Sequence, residues 1–446
     1  MQMRHWLPAL VCNVVICVAA NGAENWPQWR GPDGQGHAQT RGVPTTFSET
    51  ENVTWKAVIP GKGHSSPVIY GDQIWVTTAI ETPADEATKK ERLKKNTGGQ
   101  PLNILASVTL RAVCVNKNTG KIEHDLELMS VRDPQWVHTL NSYASPTPVI
   151  EAGRLYCHFG AFGTVAIDTA AGKIAWTNSE HIIMHENGPG STPIVHGDKL
   201  IFHCDGSDKQ YIAALDKNTG KSAWQTPRTG KMNANVQLKK AYGTPLVVEI
   251  AGKAQLVSPA ADWLYVYDPQ TGKELWKLSY DVLGFSTVPR PVTGHGLIYM
   301  CTSFMKSELL AIDPGNGEAG AAKIAWRYKQ GVPQMPSPLL VGDELFIISD
   351  QGGVVTCLDA KTGEPHFRER IDGNYSASPT LIDGRIYFLS REGVCTVLAP
   401  GKAFKVLAKN KLDGGFMASP AAVDGALFLR TDSALYRIEA KKQAAR

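Results

Sequence analysis

The sequence predicts an all-β fold, an eight-bladed β-propeller of four-stranded antiparallel blades, on three observations. First, a turn followed by an aromatic strand recurs: Asp168 to Gly172 then Trp176, Asp216 to Gly220 then Trp224, Asp268 to Gly272 then Trp276, and Asp359 to Gly363 then Phe367. Second, a short apolar run follows eight prolines: Pro67, Pro148, Pro193, Pro245, Pro291, Pro338, Pro379 and Pro420. Third, the last of these units runs out of chain before a final strand. A matching strand, Asn52 to Val58, stands unclaimed ahead of the first unit.

Each repeat reads as strand, Gly turn, strand, loop, strand, Asp/Gly turn, strand. Short strands at regular spacing with turn signals mark an all-β array. The Asp side chain can accept backbone N–H groups two or three residues on and close the turn. Gly four places after it supplies a residue with positive φ. The aromatic residue then opens the outer strand and can bury its ring against the next unit. A four-stranded unit of about 40–50 residues is one propeller blade. Looser copies of the turn occupy Asn116 to His124 and Asp313 to Trp326, and Leu398 to Phe404 is degenerate. An N-terminal strand completing the C-terminal blade would close the ring and cover an open edge.

Element by element, residues 1–22 read as a secretory signal, with a basic Arg4-His5 start, an apolar run and small residues at Ala20-Asn21-Gly22. A retained N-terminal anchor is the alternative. No later stretch reaches the roughly 20 apolar residues of a transmembrane span. Residues 23–51 form an N-terminal extension, 52–440 the propeller and 441–446 a tail. The first blade carries an insertion over about 81–106, charged from Lys89 to Lys95, between its second and third strands. It reads as a solvated loop, or as a docking lid over the ring mouth.

The charge balance, 46 basic against 42 acidic residues, gives no reason to expect nucleic acid as a partner. Six cysteines follow the signal: Cys114, Cys157, Cys204, Cys301, Cys357 and Cys395. Each lies in an apolar run and none is near another in sequence, so they read as buried small hydrophobes. The CxxCH signature of a c-type haem is absent.

These Asp-x-x-Thr-Gly-Lys turns, Trp strands and Ser-Pro starts together resemble the PQQ-like eight-bladed propeller repeat, over about Asn52 to Glu439. Trp26-Pro-Gln-Trp29-Arg30-Gly31-Pro-Asp33-Gly34-Gln-Gly36 resembles the opening of exported propellers of that type. The superfamily holds quinoprotein alcohol and sugar dehydrogenases. It also holds BamB-like outer-membrane assembly scaffolds that carry no quinone.

The loops joining one blade's outer strand to the next blade's inner strand open onto the central channel. They supply the candidate ligand-binding residues His138, Asn141, Tyr143, His185, Glu186, Asn187, Arg290 and Asn374. The plainer reading is a water-filled channel whose polar groups satisfy blade-end backbone. The dehydrogenase resemblance implies a quinone held by Ca²⁺, with Glu186, Asn235 and Asp281 as oxygen ligands and Arg290 at the quinone. A catalytic base would also be needed, and an aromatic floor, for which Trp263 is a candidate. Against this, the chain lacks the adjacent Cys pair common in the alcohol enzymes. His64 beside Ser65 and Ser66 is a pair with no assignable orienting acid. His203-Cys204-Asp205 reads as a chain turn rather than a metal set.

The expectation is an exported, periplasmic or extracellular binding or scaffold protein, a monomer or a subunit of an exported complex. Its channel mouth would face a protein, glycan or small ligand, with no cofactor. A PQQ- and calcium-dependent alcohol or sugar dehydrogenase is the alternative, and a noncatalytic subunit beside another exported enzyme is a third reading.

Overall fold

A computed structural model describes residues 24–96, 98–281 and 284–441. The expected signal at 1–22 and most of the tail lie outside the described residues. Eight four-stranded antiparallel sheets form the ring, as the sequence predicts. The blade that begins at Pro193 is representative. Its strands are Ile194–His196, Lys199–Asp205, Gln210–Asp216 and Ser222–Pro227, hydrogen-bonded in chain order.

The two middle strands are buried almost throughout, and the outer strand is mostly exposed. That pattern follows from stacking, because adjacent blades cover both faces of a middle strand. The apolar side chains sort into eight clusters, each shared by two neighbouring blades. One cluster joins Ile69, Ile74 and Val115 of the first blade to Ala421, Phe428 and Leu435 of the last. The ring therefore closes by packing as well as by hydrogen bonds.

Closure uses the N-terminal strand. Val53–Val58 pairs antiparallel with Ala434–Glu439, with Val58 opposite Ala434 and Lys56 opposite Tyr436. It completes the sheet of Ala421–Val423, Ala426–Arg430 and Ala434–Glu439.

The repeated turn has a second role beyond chain reversal. In the third blade, Asp216 Oδ1 accepts the N–H groups of Asn218 at 3.0 Å and Thr219 at 2.8 Å. Gly220, with φ +72°, lies directly against the indole of Trp176 from the preceding blade; a Cβ there would sit 2.5 Å from the ring. The Trp176 Nε1–H donates to the Lys217 carbonyl at 3.0 Å. The same contact joins Gly120 to Trp55, Gly272 to Trp224 and Gly363 to Trp326. The aromatic of one blade thus seats on the turn glycine of the next. Gly220→Ala is expected to combine left-handed backbone strain with this overlap and to destabilise the protein by about 2–3 kcal/mol, measured by urea unfolding. A loss below about 0.5 kcal/mol would mean that the indole swings aside freely.

The first-blade insertion is structured. Its flanking strands extend into it, Gln73–Pro83 and Leu105–Asn116. Between them lie a helix, Glu86–Leu93, capped by Asp85, and a two-residue strand, Leu102–Asn103, paired with Val137–His138. Among the described residues no helix is long and apolar enough to cross a membrane. All six described cysteines are buried free thiols.

Candidate functional site

The residue before each blade's proline faces the ring axis, and seven of these eight carry a hydroxyl. Their side chains link blade to blade. Ser66 N–H donates to Thr147 Oγ1, Thr147 to Thr192 and Thr192 to Thr244, at 2.9 to 3.1 Å. The series resumes from Arg290 N–H to Ser337 Oγ, Ser337 to Ser378, Ser378 to Ser419 and Ser419 back to Ser66, at 2.9 to 3.0 Å. The one interruption falls at Arg290, which has no hydroxyl to offer Thr244. These are buried backbone donors, so each link satisfies a group that would otherwise be costly to bury.

The N-terminal extension crosses the far ends of the inner strands. Trp26 exchanges two backbone bonds with Ile69, both 2.8 Å, the Pro27 carbonyl accepts from Ile150, and the Gly36 carbonyl accepts from Leu381. Arg30 Nη2 donates to the Pro338 carbonyl at 2.7 Å. From this strap Trp29 reaches into the channel, where its Nε1–H donates to Ser419 Oγ at 3.2 Å. Arg290 braces it from the side, with Nη1 donating to the Trp29 carbonyl at 3.1 Å. Arg30 and Arg290 are both buried, and burial lowers both from the usual arginine range, to about 9 and about 10; Arg290 depresses Arg30 further, and Asp33 opposes the shift of each.

Above Trp29 lies an open cavity of about 580 Å³, the candidate site. Trp29 and the hydroxyls of Ser66, Thr147, Thr192, Thr244 and Ser419 form its floor. The walls come from the loops between blades and from the loops that join middle strands. Tyr242, Phe285, Phe304, Met335 and Met417 are the larger apolar groups. Gln100, brought in by the insertion, and Gln237, Gln334 and Gln351 add amides.

Three sequence-predicted residues meet at this cavity: His138, Asn141 and Asn187. Asn141 is committed to the scaffold. Its Oδ1 accepts from Ser142 N–H and Ser145 Oγ, and its Nδ2 donates to the carbonyls of Asn187 and Pro189. His138 Nδ1 accepts the Leu140 N–H at 3.0 Å, which leaves Nε2 to carry the ring proton.

The structure places the other five elsewhere. Tyr143 is buried beneath the loop and donates to the Gln135 carbonyl at 2.8 Å. His185 is buried edge-on to Phe162. The Glu186 carboxylate accepts from Ser207 Oγ at 2.9 Å. Arg290 props the strap, and Asn374 donates to Glu392 at 2.7 Å outside the cavity lining. The inter-blade loops point toward the mouth, but their side chains mostly turn into the blade interfaces, where aromatic and imidazole rings fill space.

The residues read as calcium ligands do not converge. Glu186 is engaged with Ser207, Asn235 Oδ1 accepts the Gln237 N–H, and Asp281 lies exposed 3.7 Å from Arg327. Among the described residues no three His, Cys, Asp or Glu side chains group as a metal site. Trp263 starts a strand at Trp263–Tyr267 and donates to the Lys231 carbonyl, away from the floor. Ser65 is taken up by Arg430 and Thr77, and His64 lines the cavity 3.4 Å from Ser145 Oγ with no acid behind it. Asp205, beside His203, is paired with Arg228.

Sequence reasoning missed Trp29, Lys240, Asp350 and Arg391. Lys240 Nζ donates to Gln237 Oε1 at 2.5 Å and lies 5.8 Å from the centre of the Phe285 ring. Burial lowers its pKa, partly offset by Glu186. Asp350 is the single carboxylate of the lining among the described residues, and its oxygens accept the N–H groups of Gln334 at 2.5 Å and Met335 at 2.9 Å. Burial nonetheless raises its pKa, against those two bonds. Arg391 Nε donates to Ser376 Oγ at 2.8 Å. Asp350 and Arg391 sit on loops between middle strands, which also reach the mouth. A count of charged residues in those loops would have found them.

Burial also pushes His64, His158 and His185 down to about 3, so all three are neutral in the folded state. Their folded pKa lies below the unfolded value of about 6.5, so their contribution is fully present above pH 6.5 and is lost as pH falls from there toward 3. Urea midpoints are therefore expected to drop steadily between pH 6.5 and 4. A flat profile across that window would show that these rings accept protons without unfolding.

The geometry defines a class: a closed eight-bladed propeller with a blind axial cavity, floored by its own N-terminal strap. Over residues 93–250 and 208–446 the sequence matches the family model described as outer membrane protein assembly factor BamB, and the chain belongs to this family. Among solved structures it is similar to BamB from Moraxella catarrhalis, at 13% identity and a TM-score of 0.52, covering 81% of this chain and 98% of that one. It is also similar to a europium-containing methanol dehydrogenase, at 11% identity and a TM-score of 0.53, covering 93% and 91%. The computationally designed protein Ika8 aligns at 9% identity and a TM-score of 0.56, covering 86% and 99%. At such identities the likeness is one of fold alone. Among curated proteins none matches this chain.

Proposed function

We propose that the protein is an exported binding or scaffold propeller, periplasmic or extracellular, whose axial mouth holds a ligand without converting it. One observation carries this reading. The cavity wall is built mainly of hydroxyls, amides and aromatic rings, and among the described residues its one carboxylate is committed to backbone N–H groups. Such a lining can recognise and orient a ligand; of its two imidazoles, His138 spends Nδ1 on the Leu140 N–H, and His64, 3.4 Å from Ser145 Oγ, has no acid to orient it as a base.

The same lining bears on the cofactor. A calcium-held quinone needs several oxygen ligands around one ion. Here a single, already engaged carboxylate faces the cavity, so the donor set does not fit that group, and no catalytic step is derived through it. The aromatic floor that a quinone would need is present in Trp29, which also serves a non-catalytic site.

The rim supports a macromolecular partner as well. Leu140, Ile182, Met184, Phe304 and Met305 are exposed on mouth-side loops. Apolar groups gathered on one face mark interaction surfaces, and methionine adapts to varied partners. The BamB description of the family favours a subunit of an exported assembly.

Calorimetric titration of the purified protein with PQQ, with and without Ca²⁺, tests the reading. The expected result is no Ca²⁺-dependent binding and no dye-linked oxidation of alcohols or sugars. Tight Ca²⁺-dependent binding that weakens in Glu186→Ala and is accompanied by turnover would replace it with the dehydrogenase.

A further inference from the structure

The ligand that the mouth accepts can be narrowed from its chemistry. Resting on the binding reading above, we infer that the cavity takes a short acidic oligosaccharide, one that stacks a sugar ring on Trp29 and directs a carboxylate to Lys240.

The polar groups of the lining suit hydroxyls. A side-chain amide is donor and acceptor at once, and so is a sugar hydroxyl. Gln334 and Gln351 use their backbone groups within the fold, the Gln334 N–H on Asp350 and the Gln351 carbonyl on Ser349 Oγ. Their side-chain amides are left to the cavity. Gln237 spends its Oε1 on Lys240 and keeps its Nε2 for a ligand. An apolar ligand would strip water from these amides and replace nothing. A flat aromatic acid would offer them acceptors only.

The floor suits a pyranose. Trp29 is anchored at its edge by the bond from Nε1 to Ser419 Oγ and braced at its carbonyl by Arg290. The ring is thereby fixed before any ligand arrives, which lowers the ordering needed on binding. An indole in this position offers an apolar face to the C–H face of a sugar, with hydroxyls of the floor around it.

The charge suits an acid. Among the described residues the lining holds two cations of fixed sign, Lys240 and Arg391, against one carboxylate, Asp350, which the backbone already holds. Lys240 is 2% exposed, and its ammonium has only an amide and an aromatic ring beside it, with Glu186 acting from farther off. A buried ammonium without a hydrogen-bonded carboxylate is poorly compensated. A uronate carboxylate beside it would supply the missing partner. The cavity volume of about 580 Å³ is that of a small-molecule site rather than of a polysaccharide groove, so the ligand is short.

Trigalacturonate and its fully methyl-esterified form, titrated separately by calorimetry at low salt, test the inference. The acid is expected to bind at least about 10-fold more tightly than the ester. Lys240→Met should remove most of that preference, weakening the acid several-fold more than the ester. Trp29→Ala should weaken both ligands by about 10-fold or more, and Trp29→Phe should restore part of the loss, which also serves if the alanine variant does not fold. Equal affinities for acid and ester, an unchanged acid affinity in Lys240→Met, or no binding of either sugar would each overturn the inference. None of these outcomes touches the wider binding reading, which fails instead on quinone-dependent turnover.

Discussion

A chain beginning at Gly61 is expected not to fold as a stable monomer. Its last blade would consist of three strands, because Val53–Val58 supplies the fourth. The strand Ala434–Glu439 would then present an unpaired edge, an invitation to pair with another chain. The loss is larger than one ladder. Trp55 seats on Gly120 of the first blade and donates to the Lys117 carbonyl at 3.0 Å, so the clasp joins two blades at once. Ala57 and Ile59 belong to the core cluster shared by the first and last blades. The strap with Trp29 goes too, and with it the contacts that tie the inner strands together across the ring. Removing buried aromatic and aliphatic groups on this scale costs well over the ~5 kcal/mol at the low end of typical domain stability. Light scattering should find oligomers or aggregate, and thermal melts should lose their cooperative transition. A monomer melting within a few degrees of the full chain would show that three-stranded closure suffices. As a milder companion, Trp55→Ala should cost about 2–4 kcal/mol.

Arg228→Met is expected to be among the most damaging single substitutions, at about 3–5 kcal/mol by urea unfolding. Its guanidinium makes a two-point contact with Asp205, at 2.9 Å and 2.6 Å, and both side chains are essentially fully buried. It also donates to Ser258 Oγ at 2.7 Å and to the Tyr267 hydroxyl at 3.1 Å, with Tyr265 5.0 Å from it. Burial pushes the Asp205 carboxyl up, and Arg228 pulls it back. Without the arginine, Asp205 must either stay charged in an apolar setting or bind a proton. The large effect is therefore the penalty of an orphaned charge, not the worth of the pair. The double variant Asp205→Asn with Arg228→Met should accordingly be less damaging than Arg228→Met alone. If Arg228→Met cost under about 1 kcal/mol, water or another cation would have to be reaching Asp205.

The fold was legible because its signals are local. Asp216, Gly220 and Trp224 lie within nine residues, and three other turns repeat that spacing with the same physical meaning. Even the long-range clasp could be read, since a final blade short of one strand pointed to the one strand without a blade. The site was legible only in part. His138, Asn141 and Asn187 reach the cavity, whereas Tyr143, His185 and Glu186, from the same two loops, turn into blade interfaces or bond to neighbours. Loop membership fixes which end of the ring a residue occupies, but not which way its side chain points. Arg290 followed the same logic to the axis, yet it lies on the strap side of the hydroxyl ring. Trp29 was hidden for another reason. It sits in no repeat, and its place under the axis depends on bonds to blades hundreds of residues away, such as the 390-residue separation between Trp29 and Ser419.

That separation also sets an order of events. The strap and clasp leave the ribosome well before the strands of the last blade that they grip; the bond between the Glu24 N–H and Asp424 spans 400 residues. The ring therefore stays open until that last blade has been made. Contacts of such high separation slow folding, because the chain must give up entropy before the contact repays it. A nascent chain of this kind would remain threadable until that blade is made, and its axial cavity would acquire a floor only when the ring closes.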